Sequence, residues 1–408
     1  MKRSFLGLLG FGLFAASDSS QGAEDARLKQ IAREFDKREG LNGPDVGKHR
    51  AWSLTEAGKA DLVYLAEHYD DLSDQRKYEL PLELARTGTV GVVPLVKRAL
   101  DDPDGSVFSG IFYACRLGGF DPEYGKQIAP CLIPLLGRKH LGEDRALKLL
   151  PTLDPDLAGK TLFTDAWLSP DAPEARSVLR AFNEANQPVP VERVRPLMEK
   201  WRARALADGE RKDQWAYAAA LTALARSDAA DAVAKADEWI AKYPQETEDV
   251  AGVFLVASGL TGLFDSLVDR IDSPKDLVSL PDSAKFFFAV SIFEADWMNG
   301  GTSQAFSNST GDYIPWVKQG YKAIGDENRL AFLEKVCALF GPDGPSIDRE
   351  IRNLQMEKMN PPFEDRVEKW ENDEHPETAN PKRVPTDILL GRYTAKNAEV
   401  LRPLLKNG

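Results

Sequence analysis

The chain has 408 residues, 43% of them hydrophobic, enough to bury a core in two or three domains or in one long repeat array. Its 64 Asp and Glu outnumber its 52 Lys and Arg, and the net charge of -12 disfavours direct binding of nucleic acid phosphates. Basic residues are scattered or paired, as at Arg202 and Arg204 or Lys382 and Arg383, so no basic groove is expected.

Residues 1–20 have the layout of a signal peptide. Lys2 and Arg3 precede an uncharged apolar run from Phe5 to Ala16, and Ala15 and Ser17 supply the small-x-small pair of a cleavage point. The run is short for a bilayer, so no stable membrane span is expected. Export to the periplasm or beyond follows from this reading, and a cytoplasmic start is the alternative. Residues 24–52 read as one helix, Ala26 to Glu39, and a linker broken at Asn42, Gly43 and Pro44.

From Leu54 onward, apolar residues recur at i, i+3, i+4 and i+7 in segments punctuated by Gly, Pro and Asp, and no stretch alternates with period two. The expected fold class is all-α. An internal echo relates Val92-Val93-Pro94-Leu95-Val96 to Ile128-Ala129-Pro130-Cys131-Leu132, each followed by an acidic turn and a second apolar stripe. Such helix pairs bury their faces only by stacking. The early proline, the Asp-rich turn and the Ala/Leu-Gly ending resemble HEAT repeats, which implies a HEAT-like α-solenoid over residues 54–280. The repeats are clearest to about residue 155 and degenerate afterwards, through Val194 to Leu197, Trp215 to Leu224, Val233 to Tyr243 and Val250 to Leu260. A separate helical bundle over 160–280 is the alternative.

At Pro281 the texture changes. Phe286, Phe287, Phe288, Phe293, Glu294 and Trp297 form an apolar helix that is expected to end at Asn299-Gly300-Gly301. A polar loop through Gln304, Phe306, Asn308, Gly311 and Asp312 then leads to a stripe of Ile314, Val317, Tyr321 and Ile324. This series, E-x4-NGG-x2-Q-x-F-x-N-x2-GD, resembles the C-terminal domain of the bacterial DNA-mimic protein family. The resemblance implies a compact helical domain over residues 284–408 and, by the family's founding function, acidic surfaces that occupy a DNA-binding protein. From Ala284 to the C-terminus there are nineteen Asp and Glu against sixteen Lys and Arg, a weak excess for imitating a duplex.

Glu294, Asn299, Gly300, Gly301, Gln304, Phe306, Asn308, Gly311 and Asp312 are therefore the candidate site residues. They read chiefly as a buried polar network holding the loop, with a ligand-facing role as the alternative. Residues Asn360 to Pro385, Pro-rich and charged with Phe363 and Trp370 as anchors, read as an extended loop over this domain.

The chemistry of enzymes finds no signature. His49, His68, His140 and His375 have no metal-ligand spacing, and there is no GxSxG, GxxxxGK[ST] or GxGxxG motif. Cys115, Cys131 and Cys337 have no CxxC spacing and read as free thiols, with a Cys115 to Cys131 bridge open in an oxidising compartment. No cofactor, metal or catalytic residue is expected. The leading expectation is a non-enzymatic protein that binds a protein partner as a scaffold or inhibitor. The alternatives are an acidic mimic that sequesters a DNA-binding protein, and a small-ligand or catalytic site in the loop 299–312.

Overall fold

Helices make up all the regular structure of the described residues. In this computed structural model these are residues 26–31, 55–73, five positions between 76 and 95, 122–136, 143–208, 211–244, 250–374 and 383–405. The signal-peptide reading, most of the 24–52 segment, Cys115 and the first member of the proline echo apart from Leu95 lie outside them. None of the described helices is long and apolar enough to cross a membrane. The chain divides into two compact units, residues 1–168 with 172–187, and residues 169–171 with 188–408, so the segment read as 54–280 is shared between them.

In the first unit α1 (Glu56–Glu67) starts where the Thr55 hydroxyl accepts the Gly58 N–H, an N-cap that satisfies one of the open donors of the first turn. The helices α2 (Pro122–Leu132), α3 (Glu143–Leu153), α4 (Pro155–Leu162) and α5 (Ala175–Glu184) follow. α3 packs against α2, α4 and α5. It does so through Ala146 and Leu147 and, one turn on, Leu150, all fully buried. Pro130, the second proline of the echo, sits inside α2, and Asp154 caps α4 by accepting the Leu157 N–H at 2.9 Å.

The second unit opens with α6 (Val191–Asp208), α7 (Arg211–Ala225), α8 (Ala229–Lys242) and α9 (Ala251–Ala257). α7 is alanine-rich and buried nearly all round, because it is flanked by α6, α8 and α9. An ion-pair ladder runs over the surface of this group. Arg195 donates to Asp228 and Asp231 at 2.7 and 2.8 Å, Lys235 to Glu199 at 3.4 Å, and Arg202 to Glu238.

After α10 (Leu263–Val268) comes the helix that organises the rest, α11 (Asp282–Ser307). It carries Phe287, Phe288, Val290, Phe293, Trp297, Ala305 and Phe306 into one continuous core. Around it pack α12 (Ile314–Ile324), α14 (Arg349–Glu357), α15 (Phe363–Glu374), α16 (Thr386–Lys396) and α17 (Ala398–Leu401), while α13 (Glu327–Cys337) packs on α12.

Two expectations change here. The stretch read as an extended loop from Asn360 to Pro385 contains the twelve-residue helix α15. Phe363 and Val367 are buried and Trp370 half-buried, so an i, i+4, i+7 stripe outweighs the prolines, which fall before the helix at Pro361 and Pro362 or after it. The second change concerns α11, which does not end at Asn299-Gly300-Gly301. It breaks there and resumes as far as Ser307, and a 3-10 turn, Ser309–Tyr313, completes the connection to α12.

Candidate functional site

The break in α11 is made by two glycines. Gly300 has φ -160° and ψ 25°, and Gly301 has φ 72° and ψ -174°, a combination that only glycine adopts without strain. The resumed segment, 302–307, is less than two turns long. A helix so short has little stability of its own, and its end groups must find partners outside it.

Both ends are satisfied by side chains from other helices. At the start, Glu371 of α15 accepts the Thr302 N–H at 2.8 Å and the Thr302 hydroxyl at 2.5 Å, a capping carboxylate at the positive end of the turn. At the far end, Arg352 of α14 donates from Nε to the Phe306 carbonyl at 2.6 Å and from Nη2 to the Asn308 carbonyl at 2.8 Å. Its Nη1 reaches the Ser346 carbonyl and Nη2 also reaches Asp312 Oδ1, both at 2.8 Å. The side chain is completely buried, so this guanidinium exchanges its hydration for a cage of carbonyls and one carboxylate. Gly311 lies against the cage, where a Cβ would stand 2.7 Å from Arg352 Cζ.

The motif residues thus separate into distinct groups rather than one network. Gln304 and Asn308 converge on Asp296, in the last turn before the break. Asp296 accepts Gln304 Nε2 at 3.5 Å, Asn308 Nδ2 at 3.1 Å and the Thr310 hydroxyl at 2.5 Å. Asp312 belongs to the Arg352 cage, and Phe306 fills the core against Phe293, Phe340 and Phe363 with ring centroids 5.5 to 6.1 Å apart. Asn299 is exposed at the break.

Glu294 faces elsewhere. It accepts the Tyr321 hydroxyl from α12 and Arg329 Nη2 from α13 at 3.1 Å. Arg329 lies over the Trp297 ring at 3.9 Å, its backbone N–H is capped by Asp326, and Asp326 Oδ2 accepts Arg383 Nη2 at 2.5 Å and the Thr386 hydroxyl at 2.6 Å. Two carboxylates and two guanidiniums therefore tie α11, α12, α13 and the start of α16 together inside the core. Burial, offset in part by Arg329, holds the Glu294 carboxyl above its usual range. Burial followed by the Glu294 charge holds the Tyr321 phenol well above its usual range.

The partners that sequence reasoning missed are Asp296, Arg329, Arg352 and Glu371. Asp296 had a local signal, since it precedes the Gly-Gly break by four residues. The other three lie 35 to 69 residues from the groups they bind, beyond any spacing rule.

One side of the break remains open. Gly300, Gly301, Ser303, Gln304, Ser307 and Asn308 form one wall of a groove of about 930 Å³, and Val367, Glu364, Glu368 and Glu371 of α15 form the other. The three glutamates are spaced i, i+4, i+7, so they share a face of α15. Among the described residues none has an ion-pair partner. Glu371 is held by Thr302, and Glu364 meets the Ser303 hydroxyl at 3.4 Å. Among the described residues no group of three or more His, Cys, Asp or Glu is arranged to hold a metal ion.

Residues 278–397, which contain the break, its caps and the buried charge cluster, match the family model described as DMP19-like protein and form a DMP19-like domain. No curated protein and no solved structure matches the chain.

Proposed function

We propose that this protein binds a protein partner without catalysing a reaction, and that it does so through the carboxylate-lined groove beside the α11 break. The observation that carries the reading is the row of Glu364, Glu368 and Glu371, three carboxylates on one helix face, without an ion-pair partner among the described residues and beside a groove large enough for several side chains. Such a surface attracts Lys and Arg from a partner and steers its approach. The polar motif supports a shaping role. Its Gln304, Asn308 and Asp312 are spent on Asp296 and Arg352, and what they leave open is the form of the groove. In this reading residues 284–408 supply the binding domain, residues 54–280 a repeat-like scaffold, and residues 1–20 an export signal, which mass spectrometry of the mature N-terminus tests.

The second reading is imitation of DNA, after the DNA-mimic family to which the matched model refers. The matched segment holds nineteen Asp and Glu against fourteen Lys and Arg. Along α15 the groove carboxylates are spaced by about 5 to 6 Å of axis at 1.5 Å per residue. That is sparser than the charge every ~1.7 Å of a duplex, which favours recognition of a basic segment over mimicry of a length of DNA.

The test is capture of partners from the organism's own extract with the full chain and with E364Q/E368Q, which spares the cap at Glu371. The expected result is a partner whose binding falls at least tenfold in the variant and declines steeply with salt. Binding indifferent to both would overturn the groove reading. A catalytic turnover that vanished on changing one motif residue would overturn the non-enzymatic one.

A further inference from the structure

α14 turns a charged side chain inward, beside the partly buried Met356, and sets large aliphatic side chains on its outward face. A helix on the surface of a domain turns its apolar stripe to the core. Here the one fully buried side chain is Arg352, while Ile351 and Leu354, three residues apart on the opposite face, are 53% and 51% exposed. Ile347, just ahead of the Asp348 N-cap, is 55% exposed. The charged residue faces inward because its carbonyl cage replaces water. The aliphatic residues have no such reason to face outward, and a patch of large aliphatic side chains in water marks a surface that is covered in use.

The ends of the stripe indicate what covers it. Glu350, in the first turn, and Lys358, at the C-cap, are both exposed, and neither has an ion-pair partner among the described residues. They carry opposite charges at opposite ends of one helix. If two copies of α14 lie antiparallel about a two-fold axis at Leu354, Glu350 of each copy falls opposite Lys358 of the other. Leu354 meets its own counterpart, and the isoleucines flank the seam. A parallel arrangement would place like charges together. We propose that the outward face of α14 is the docking surface for a second copy of this chain, paired antiparallel about a two-fold axis.

The contact is isologous, so it closes at a dimer. Nine helical residues span only about 14 Å. The area is accordingly below that of a permanent interface, and the dimer is a weak, reversible one.

Sedimentation velocity of the full chain over a concentration series tests the proposal. The wild type is expected to pass from monomer to dimer, and Leu354→Glu to remain monomeric with unchanged helicity and thermal midpoint, since the residue is exposed. Glu350→Lys and Lys358→Glu are each expected to weaken the dimer about tenfold by placing like charges together. E350K/K358E is expected to restore it, because the pair re-forms across the axis. A wild type still monomeric at about 300 µM, well above the range expected for a contact of this size, would overturn the proposal and leave the face to a different partner. A dimer that survives Leu354→Glu would also overturn it. Failure of the double exchange to recover what the single exchanges lose would overturn the antiparallel arrangement.

Discussion

Two groups of ion pairs in the second unit behave differently. The ladder over α6 and α8 joins partners that are about a quarter to two-thirds exposed, whereas Arg352, Arg329, Arg383 and Asp326 in the DMP19-like domain are at most 5% exposed. Exposed pairs are screened, and each contributes roughly 0 to 1 kcal/mol. Buried pairs cost desolvation when they form, so they add little net stability, but losing one partner strands a charge in the core. The ladder can be edited rung by rung. The buried cluster fixes the geometry of the break and of the helices around it, and it fails when one member is removed.

The comparison can be broken at its strongest point by Arg352→Ala, which leaves the Phe306, Asn308 and Ser346 carbonyls and Asp312 without their donor. Urea denaturation is expected to show a loss of about 3 to 5 kcal/mol. A loss below 1 kcal/mol would place Arg352 with the ladder. Gly311→Ala attacks the same cage from outside, by driving a methyl to within 2.7 Å of the guanidinium, and is expected to cost about 2 kcal/mol in the same assay. Gly301→Ala forces an alanine into a glycine-only conformation, with its Cβ 3.0 Å from Glu371 Oε2, at an expected cost of about 1 to 3 kcal/mol.

Glu294 sharpens the comparison through pH. Its carboxyl binds a proton more tightly in the folded chain than in the unfolded one, so between the two values the folded state holds more protons and stability falls as pH rises. Thermal midpoints measured upward from pH 4.5 are expected to decline more in the wild type than in Glu294→Gln, the difference levelling off above the folded value. A constant difference would show that Glu294 does not titrate in this window. The smallest effect belongs to the ladder. Arg195→Ala is expected to cost less than about 1 kcal/mol and to lose even that in high salt, because both of its pairs are well exposed.

Much of the helical order is legible in the chain. The stripes at Val194 to Leu197 and Trp215 to Leu224 lie in α6 and α7, and Val233 to Tyr243 in α8 and its C-cap, since a 3.6-residue period is a local property. The motif from Glu294 to Asp312 marks the place where the backbone does something unusual, but its polar side chains read as one network only while their partners are unknown. Two of those partners, Arg352 and Glu371, stand on helices that begin more than thirty residues after the motif ends, and Arg352 is a charged residue in a segment whose inward apolar side is little more than Met356. α15 was obscured for a related reason. Its three-residue apolar stripe is short and set among prolines and charges, and its burial depends on Phe306 and Phe340, which meet Phe363 from elsewhere in the chain.

The capping of residues 302–307 by Glu371 and Arg352 also sets an order of events during synthesis. The turn leaves the ribosome more than forty residues before Arg352 and more than sixty before Glu371. Until both have emerged, its open N–H and carbonyl groups have only water as partners, and a single helical turn does not persist on those terms. The nascent domain must therefore wait with its central helix intact up to the glycines and unmade beyond them. A chain truncated anywhere between Asp312 and Arg352 would keep every motif residue and still lack the turn that the motif exists to shape.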